Sequence, residues 1–265
     1  MPLTRRQILM AMGAVGIANT IGAPVFAQEN FGADFLQNGR VLEVISGDSF
    51  ILEDGRRIRL TGMDAPRPAI GDAVAQPLWR TAKQHLQNLI TGKKLKFISA
   101  TTDRFGRLRA HVLVGDEQTW LQGEMLGLGM GRVRIWSDED IKIEQMLTIE
   151  NQARDKKTGI WDREFYAVRN PNTVGSARGS FQIVEGEIVD AASTRKMNYL
   201  NFGTDWRSDF TAQANKKTNR KFAMAGINLS GLSGARVRVR GLIKSSNGPT
   251  LWLNHVSQLQ ILDNE

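Results

Sequence analysis

"RVLEVISGDSFILEDGRRIRLTGMDAP", residues 40–66, decides the fold. Apolar and polar residues alternate through it with the two-residue period of strands that bury one face. Gly47-Asp48 and Asp54-Gly55 interrupt the alternation with turn chemistry, so the stretch predicts a meander of three strands. Past Pro77 the period changes. Leu78, Ala82, Leu86, Leu89 and Ile90 recur at helical spacing, and Gly92 closes that helix. "KLKFISATTDRFGRLRAHVLV", residues 94–114, predicts two more strands joined by a turn over 103–106. "WLQGEMLGLGMGRVRI", residues 120–135, predicts a helix running into a short strand. Residues 138–161 predict a long amphipathic helix with Ile143, Met146, Leu147, Ile149 and Ala153 on its apolar side. Three strands, a helix and two strands suit a five-stranded OB-fold barrel, mainly β with helices added.

Residues 167–180, "AVRNPNTVGSARGS", are rich in Asn, Gly, Ser and Pro and predict a linker. Strand patterns resume at "FQIVEGEIVDAA", "MNYLNFG", "DFTAQA", "ARVRVRGLIKSS" and "PTLWLNHVSQLQIL". Between them, "KKTNRKFAMAGINLSGLSG" predicts a basic loop and a short helix. A second OB-like β-barrel is expected there. The expected division is 28–168 for the first module, 169–180 for the linker and 181–265 for the second module.

Residues 1–27 stand apart. Arg5-Arg6 precede an apolar run from Ile8 to Ala18, and small residues at Val25 and Ala27 suggest cleavage before Gln28. The pattern predicts an export signal of twin-arginine type and a periplasmic or secreted product. The run is short for a membrane span, so none is expected in the mature chain. The formal charge of +8 remains positive without Arg5 and Arg6, because residues 1–27 hold no acid. Nucleic acid, anionic lipid and acidic polysaccharide are all compatible with that charge. The absence of cysteine excludes disulfides, thiolate nucleophiles and thiolate metal sites. The three histidines, His85, His111 and His255, are too scattered for a metal motif, which leaves hard cations held by oxygen.

"VISGDSFILEDGRRIRLTGMDAPRP", "TDRFGR" and "LGLGMGRV…IENQARDKKTGIW", in this order, resemble the staphylococcal nuclease (thermonuclease-like) family over roughly residues 39–166. The resemblance implies an OB-fold and hydrolysis of DNA or RNA with Ca²⁺. It implies metal ligation by Asp48, Asp64 and the Ala65 carbonyl, and phosphate contacts from Arg59 and Arg107. Such chemistry needs a cation and donors to neutralise the phosphate, and a base for the attacking water. The sequence departs from the pattern where it matters for that base. Arg67 occupies the position of the family's glutamate, and a guanidinium cannot accept a proton. Ser46 replaces the first acid of an Asp-Gly-Asp turn, and Ser49 replaces a threonine. Asp72 is a candidate substitute base.

In the second module, Lys216, Lys217, Arg220 and Lys221 form one basic cluster. Arg236, Arg238 and Arg240 share one strand face. Both are candidate nucleic-acid contacts, with Tyr199, Phe202, Trp206 and Trp252 as candidate stacking or packing residues. The expected function is an exported, Ca²⁺-assisted nuclease slowed by Arg67. The alternative is a catalytically impaired protein that binds nucleic acid or another polyanion. Oligomeric state is left open.

Overall fold

The computed structural model describes residues 35–262. The export segment expected at 1–27 lies outside the described residues. The first sheet contains β1 (Phe35–Gly39), β2 (Val41–Ser46), β3 (Ser49–Leu52), β4 (Arg57–Leu60), β6 (Leu95–Thr102), β7 (Leu108–Val114) and β8 (Thr119–Trp120). Its order is β1-β6-β7-β4-β3-β2, with β8 on β7. The expected meander is β2-β3-β4, and the barrel-type closure comes from parallel pairing of β4 with β7. Phe50, Leu52, Ile58, Leu60, Ala110 and Val112 fill the interior.

Helix α1 (Trp79–Ile90) follows the meander and buries Ala82, Leu86 and Ile90. Helices α2 (Leu121–Gly127) and α3 (Ile143–Asp155) pack on each other, and α3 also packs on a two-stranded ladder of β5 (Met63–Asp64) and β9 (Arg132–Val133). Gly62 makes the bend from β4 into β5. Its φ of 71° is left-handed, and a Cβ there would stand 2.3 Å from the Met146 Cε.

The second sheet repeats the plan. β10 (Phe181–Glu187), β11 (Asp190–Ser193), β12 (Met197–Asn201), β13 (Thr211–Asn215), β14 (Arg236–Ser245) and β15 (Pro249–Trp252) run in the order β10-β14-β15-β13-β12-β11. β16 (Leu259–Ile261) joins β14, and β13 pairs with β15 in parallel. Helix α4 (Lys216–Met224) falls after the third meander strand, as α1 does in the first sheet. The chain is thus mainly β with two barrel-like regions. "FQIVEGEIVDAA" divides into β10 and β11, and Ile188 between them is buried in the core with Leu200, Phe210 and Leu251. "KKTNRK" is helical rather than a loop. Asn215 accepts a hydrogen bond from the Thr218 N–H at 2.9 Å and so caps α4.

The turn-rich segment lies against the second sheet. Its Val174 is buried, and the Arg169 N–H donates to the Ile183 carbonyl. Contacts gather the two barrels into one compact unit. Among the described residues, no helix is long and apolar enough to cross a membrane.

Candidate active site

The β2–β3 turn presents Asp48. Gly47 allows it, because a Cβ there would meet the Ala82 and Ala65 methyls at 2.7 and 2.9 Å. Asp48 is 2% exposed. Its Oδ1 accepts from the Ser46 and Ser49 hydroxyls at 2.8 and 3.1 Å. Its Oδ2 accepts from the Ala65 N–H at 3.0 Å and faces the Arg59 guanidinium at 2.8 Å. Ser46, where the resemblance led us to expect an acid, therefore serves as a donor to the neighbouring one.

Asp64 ends β5 opposite Arg132 and is 3% exposed. Four guanidinium groups converge on it. Arg67 pairs with Oδ1, Arg134 reaches Oδ1 at 3.1 Å, Arg59 stands 3.6 Å away, and Arg132 lies 3.4 Å from Oδ2. Burial pushes the Asp64 carboxyl up. Arg132, Arg67, Arg134 and Arg59 together outweigh burial and hold it below the usual carboxylate range. Burial also works against the charge of Arg67, but the Asp64 carboxylate reverses the effect and raises its pKa. For Arg132 and Arg134, burial prevails and lowers the pKa despite Asp64.

Arg132 and Arg134 are the residues that sequence reasoning passed over. Their alternation in "GRVRI" was readable, but nothing local showed that β9 would pair with β5. The Arg134 N–H donates to the Gly62 carbonyl at 2.9 Å, which carries the same face one residue further.

Arg59 pairs across the sheet with Arg109, on the face opposite the barrel interior. Arg109 is bound to Asp138 at 2.6 Å. The Trp136 ring lies against both Arg134 and Arg109, at 4.5 and 5.4 Å. Arg107 is held by Asp103 at 2.7 Å and packs on Phe105. It is therefore anchored in its own turn, and the structure does not bring it to Asp48 or Asp64 as it does Arg59. Asp72 is exposed in the turn bridged by Ile70 and Ala73.

Beside Arg109, a cavity of about 240 Å³ is lined by Thr61, His111, Asp138 and Glu139. Burial pushes Glu139 up to about 7 and His111 down to about 4. The His111 Nδ1 accepts from the Trp120 indole, and its Nε2 lies 3.9 Å from the Glu139 carboxyl.

Ca²⁺ takes six to eight oxygen ligands. Here the Asp48 oxygens are already met by two hydroxyls, an N–H and a guanidinium, and those of Asp64 by guanidinium groups alone. Among the described residues, no three or more acidic or histidine side chains are grouped to hold a metal. The expected set of Asp48, Asp64 and Ala65 does not fit Ca²⁺ in this arrangement. Two carboxylates facing Arg59, Arg67, Arg132 and Arg134 carry a net positive charge, which suits an anion.

In the second barrel, Lys216, Lys217, Arg220 and Lys221 lie on α4. Arg236 and Arg238 are both bound to Glu185. Arg240, 1% exposed, is bound to Glu150 at 2.7 Å and is withdrawn from any outside ligand. Phe202 packs on Phe210 in the core.

The OB barrel thus sets Asp48 in its β2–β3 turn beside Arg59 and Asp64, where β4 passes into β5. A profile described as staphylococcal nuclease homologue matches residues 57–163. The thermonuclease of Staphylococcus intermedius is 30% identical over 131 residues, covering 46% of this chain and 75% of that protein. A probable endonuclease LCL3 of Komagataella phaffii is 32% identical over 112 residues, 40% of this chain and 49% of its own length. The staphylococcal-like nuclease CAN1 of Arabidopsis thaliana is 30% identical over 105 residues, 40% of this chain and 29% of its own. The chain belongs to the staphylococcal nuclease family. It spans about half or less of the length of the yeast and plant relatives.

Proposed function

We propose that the protein binds the phosphodiester backbone of DNA or RNA at the Asp64 arginine cluster, with impaired hydrolysis. One observation carries this reading: Arg67 stands where the family resemblance implies a glutamate, and it joins Arg59, Arg132 and Arg134 around Asp64. Arg67 is the most exposed of the four, so its fork can turn from Asp64 to phosphate oxygens. Arg134 is also partly exposed and offers a second fork beside the Trp136 ring. Arg59 and Arg132, both more buried, hold the carboxylates in place. No group at position 67 can take a proton from water. Loss of such help slows hydrolysis about 10²–10⁴-fold.

A second reading, a Ca²⁺-assisted nuclease, rests on the retained Asp48, Asp64 and Arg59 and requires the guanidinium groups to leave the two carboxylates when the cation binds. The two readings differ in one assay. Purified chain is mixed with single-stranded DNA and RNA, with Ca²⁺ or with chelator. Binding weakened by salt, with cleavage rising about 10²-fold or more in Arg67→Glu, is expected. Fast Ca²⁺-dependent cleavage by the unaltered chain, matched by Arg67→Glu and lost in Asp48→Ala, would establish the second reading instead.

The proposal includes export by the twin-arginine route, supported by Arg5-Arg6 and the apolar run after them. Cell fractionation of Arg5→Lys/Arg6→Lys should find the protein retained in the cytoplasm. An unchanged distribution would remove export from the proposal.

A further inference from the structure

The second barrel carries a pocket of about 390 Å³ on the sheet face that corresponds to the Arg59 face of the first. In the first barrel, the cross-strand row Ser49–Arg59–Arg109 lies opposite the buried Phe50, Ile58, Leu60 and Ala110. In the second, Ala191, Leu200, Ala212 and Leu251 point to the core. The alternate residues form two rows on the other face: Asp190–Asn201–Thr211–Thr250 and Ala192–Tyr199–Gln213–Trp252. The same topology thus presents the same face twice, with arginines on one and neutral polar groups on the other.

Three features describe what would fill the pocket. Gln213 lines it, and its side-chain amide makes no hydrogen bond to another described residue. The amide is thus free to offer its donors and its acceptor oxygen to whatever occupies the pocket. Asn201, by contrast, is fixed: its amide donates to Asp190 and accepts from Thr211 at 3.2 and 3.1 Å. Asp190 lines the pocket, and its second oxygen takes no hydrogen bond from another described residue. Finally, Trp206 stands at the rim, 50% exposed, with Arg207 on its ring at 4.5 Å, and Tyr199 lies within.

Asp190 is the one charged residue in the lining, and the Arg207 guanidinium on the Trp206 ring opposes it at the rim. The lining thus holds no cation of its own to take a phosphate, although the bases of a nucleic acid could stack on the same rings. We infer that this pocket binds a neutral, hydroxyl-rich ligand, namely a short saccharide. The apolar C–H face of a pyranose would lie on the indole of Trp206, and its hydroxyl edge would donate to Asp190 and exchange hydrogen bonds with Gln213. This site is separate from the arginine cluster, and substitutions in one leave the other's ligand groups untouched.

Saturation-transfer NMR on the full chain tests it, with maltotriose, cellotriose and chitotriose as probes and a short oligothymidylate as competitor. Transfer to at least one trisaccharide is expected. Trp206→Ala and Gln213→Ala should each weaken it about 10-fold or more, while oligothymidylate should not compete. Trp206 is half exposed, so its removal leaves the fold intact, and a thermal melt verifies both variants. No transfer to any of the three sugars would overturn the inference. So would transfer unaffected by both substitutions, or displacement by oligothymidylate.

Discussion

Asp64 is a buried carboxylate whose neighbours are all guanidinium groups, and the buried Arg132 depends on it most. Asp64 is the largest charge that offsets the desolvation of Arg132; the Phe181 carbonyl at 2.9 Å, the more distant Glu150 and the rings of Tyr166 and Phe181 add to it. Removing one partner of a buried ion pair costs about 3–5 kcal/mol, because the other charge stays buried alone. Asp64→Asn should therefore lower unfolding stability by about 3 kcal/mol, read from urea midpoints. A change under about 1 kcal/mol would mean that water reaches Arg132. Because the Asp64 pKa is depressed in the folded state, its contribution is present above the ordinary carboxylate range and lost as pH falls through the folded pKa. Glu139 behaves in the opposite sense. Its folded pKa is raised from 4.5 to about 7, so stability present below pH 4.5 is lost as pH rises to about 7. His111, lowered from 6.5 to about 4, holds its contribution above pH 6.5 and loses it towards pH 4. The two cancel in part between pH 4.5 and 6.5. Glu139→Gln removes one of them, so its stability relative to the unaltered chain should climb by about 3 kcal/mol between pH 4.5 and 8. A constant difference across that range would show that Glu139 titrates normally.

At the scale of elements, the bend at Gly62 decides whether these residues meet. It turns the chain from β4 into β5 and brings Asp64 opposite Arg132, while its bare Cα leaves room for Met146 and Glu139. Gly62→Ala meets both a left-handed φ and a crowded side, and should cost about 1–3 kcal/mol with weakened nucleic-acid binding. Unchanged melting would contradict that role. The same bend shows why part of the site was legible in sequence and part was not. The meander announced itself, because Val44, Phe50, Leu52, Ile58 and Leu60 keep a strict period against polar neighbours. Asp48, Arg59, Asp64 and Arg67 came with it, since family spacing sits on those strands. β5 and β9 are two residues long, too short to show any period, and their pairing joins positions 68 apart. Arg132 and Arg134 were invisible as site residues for that reason. Arg240 misled in the opposite direction. "RVRVR" has the look of a solvated face, and only packing against α3 reveals a buried charge.

For the whole molecule, that packing joins the barrels. Glu150 on α3 accepts from the Val133 N–H at 2.6 Å through one oxygen and binds Arg240 of β14 through the other. Arg240 also donates to the Val133 carbonyl at 3.2 Å, and its own carbonyl accepts from Gln258 at 3.0 Å. Arg132 links Asp64 to Phe181, the first residue of β10. The strand that carries the arginine cluster is thus held by the second barrel on both sides of Val133. Loosening this seam should be felt at the phosphate site. Arg240→Met leaves Glu150 buried without its cation and should destabilise the chain by about 3–5 kcal/mol. Adding Glu150→Gln removes the stranded charge but keeps an acceptor for the Val133 N–H, so Glu150→Gln/Arg240→Met should recover most of that loss. Urea denaturation of both single variants and the double variant closes the cycle, with a coupling between the two sites of about 2 kcal/mol or more. Salt-dependent binding of single-stranded DNA, measured on the same proteins, should fall in Arg240→Met and return in the double variant. Additive stabilities, or binding unaffected by Arg240→Met, would mean that the first barrel holds β9 in place without help from the second.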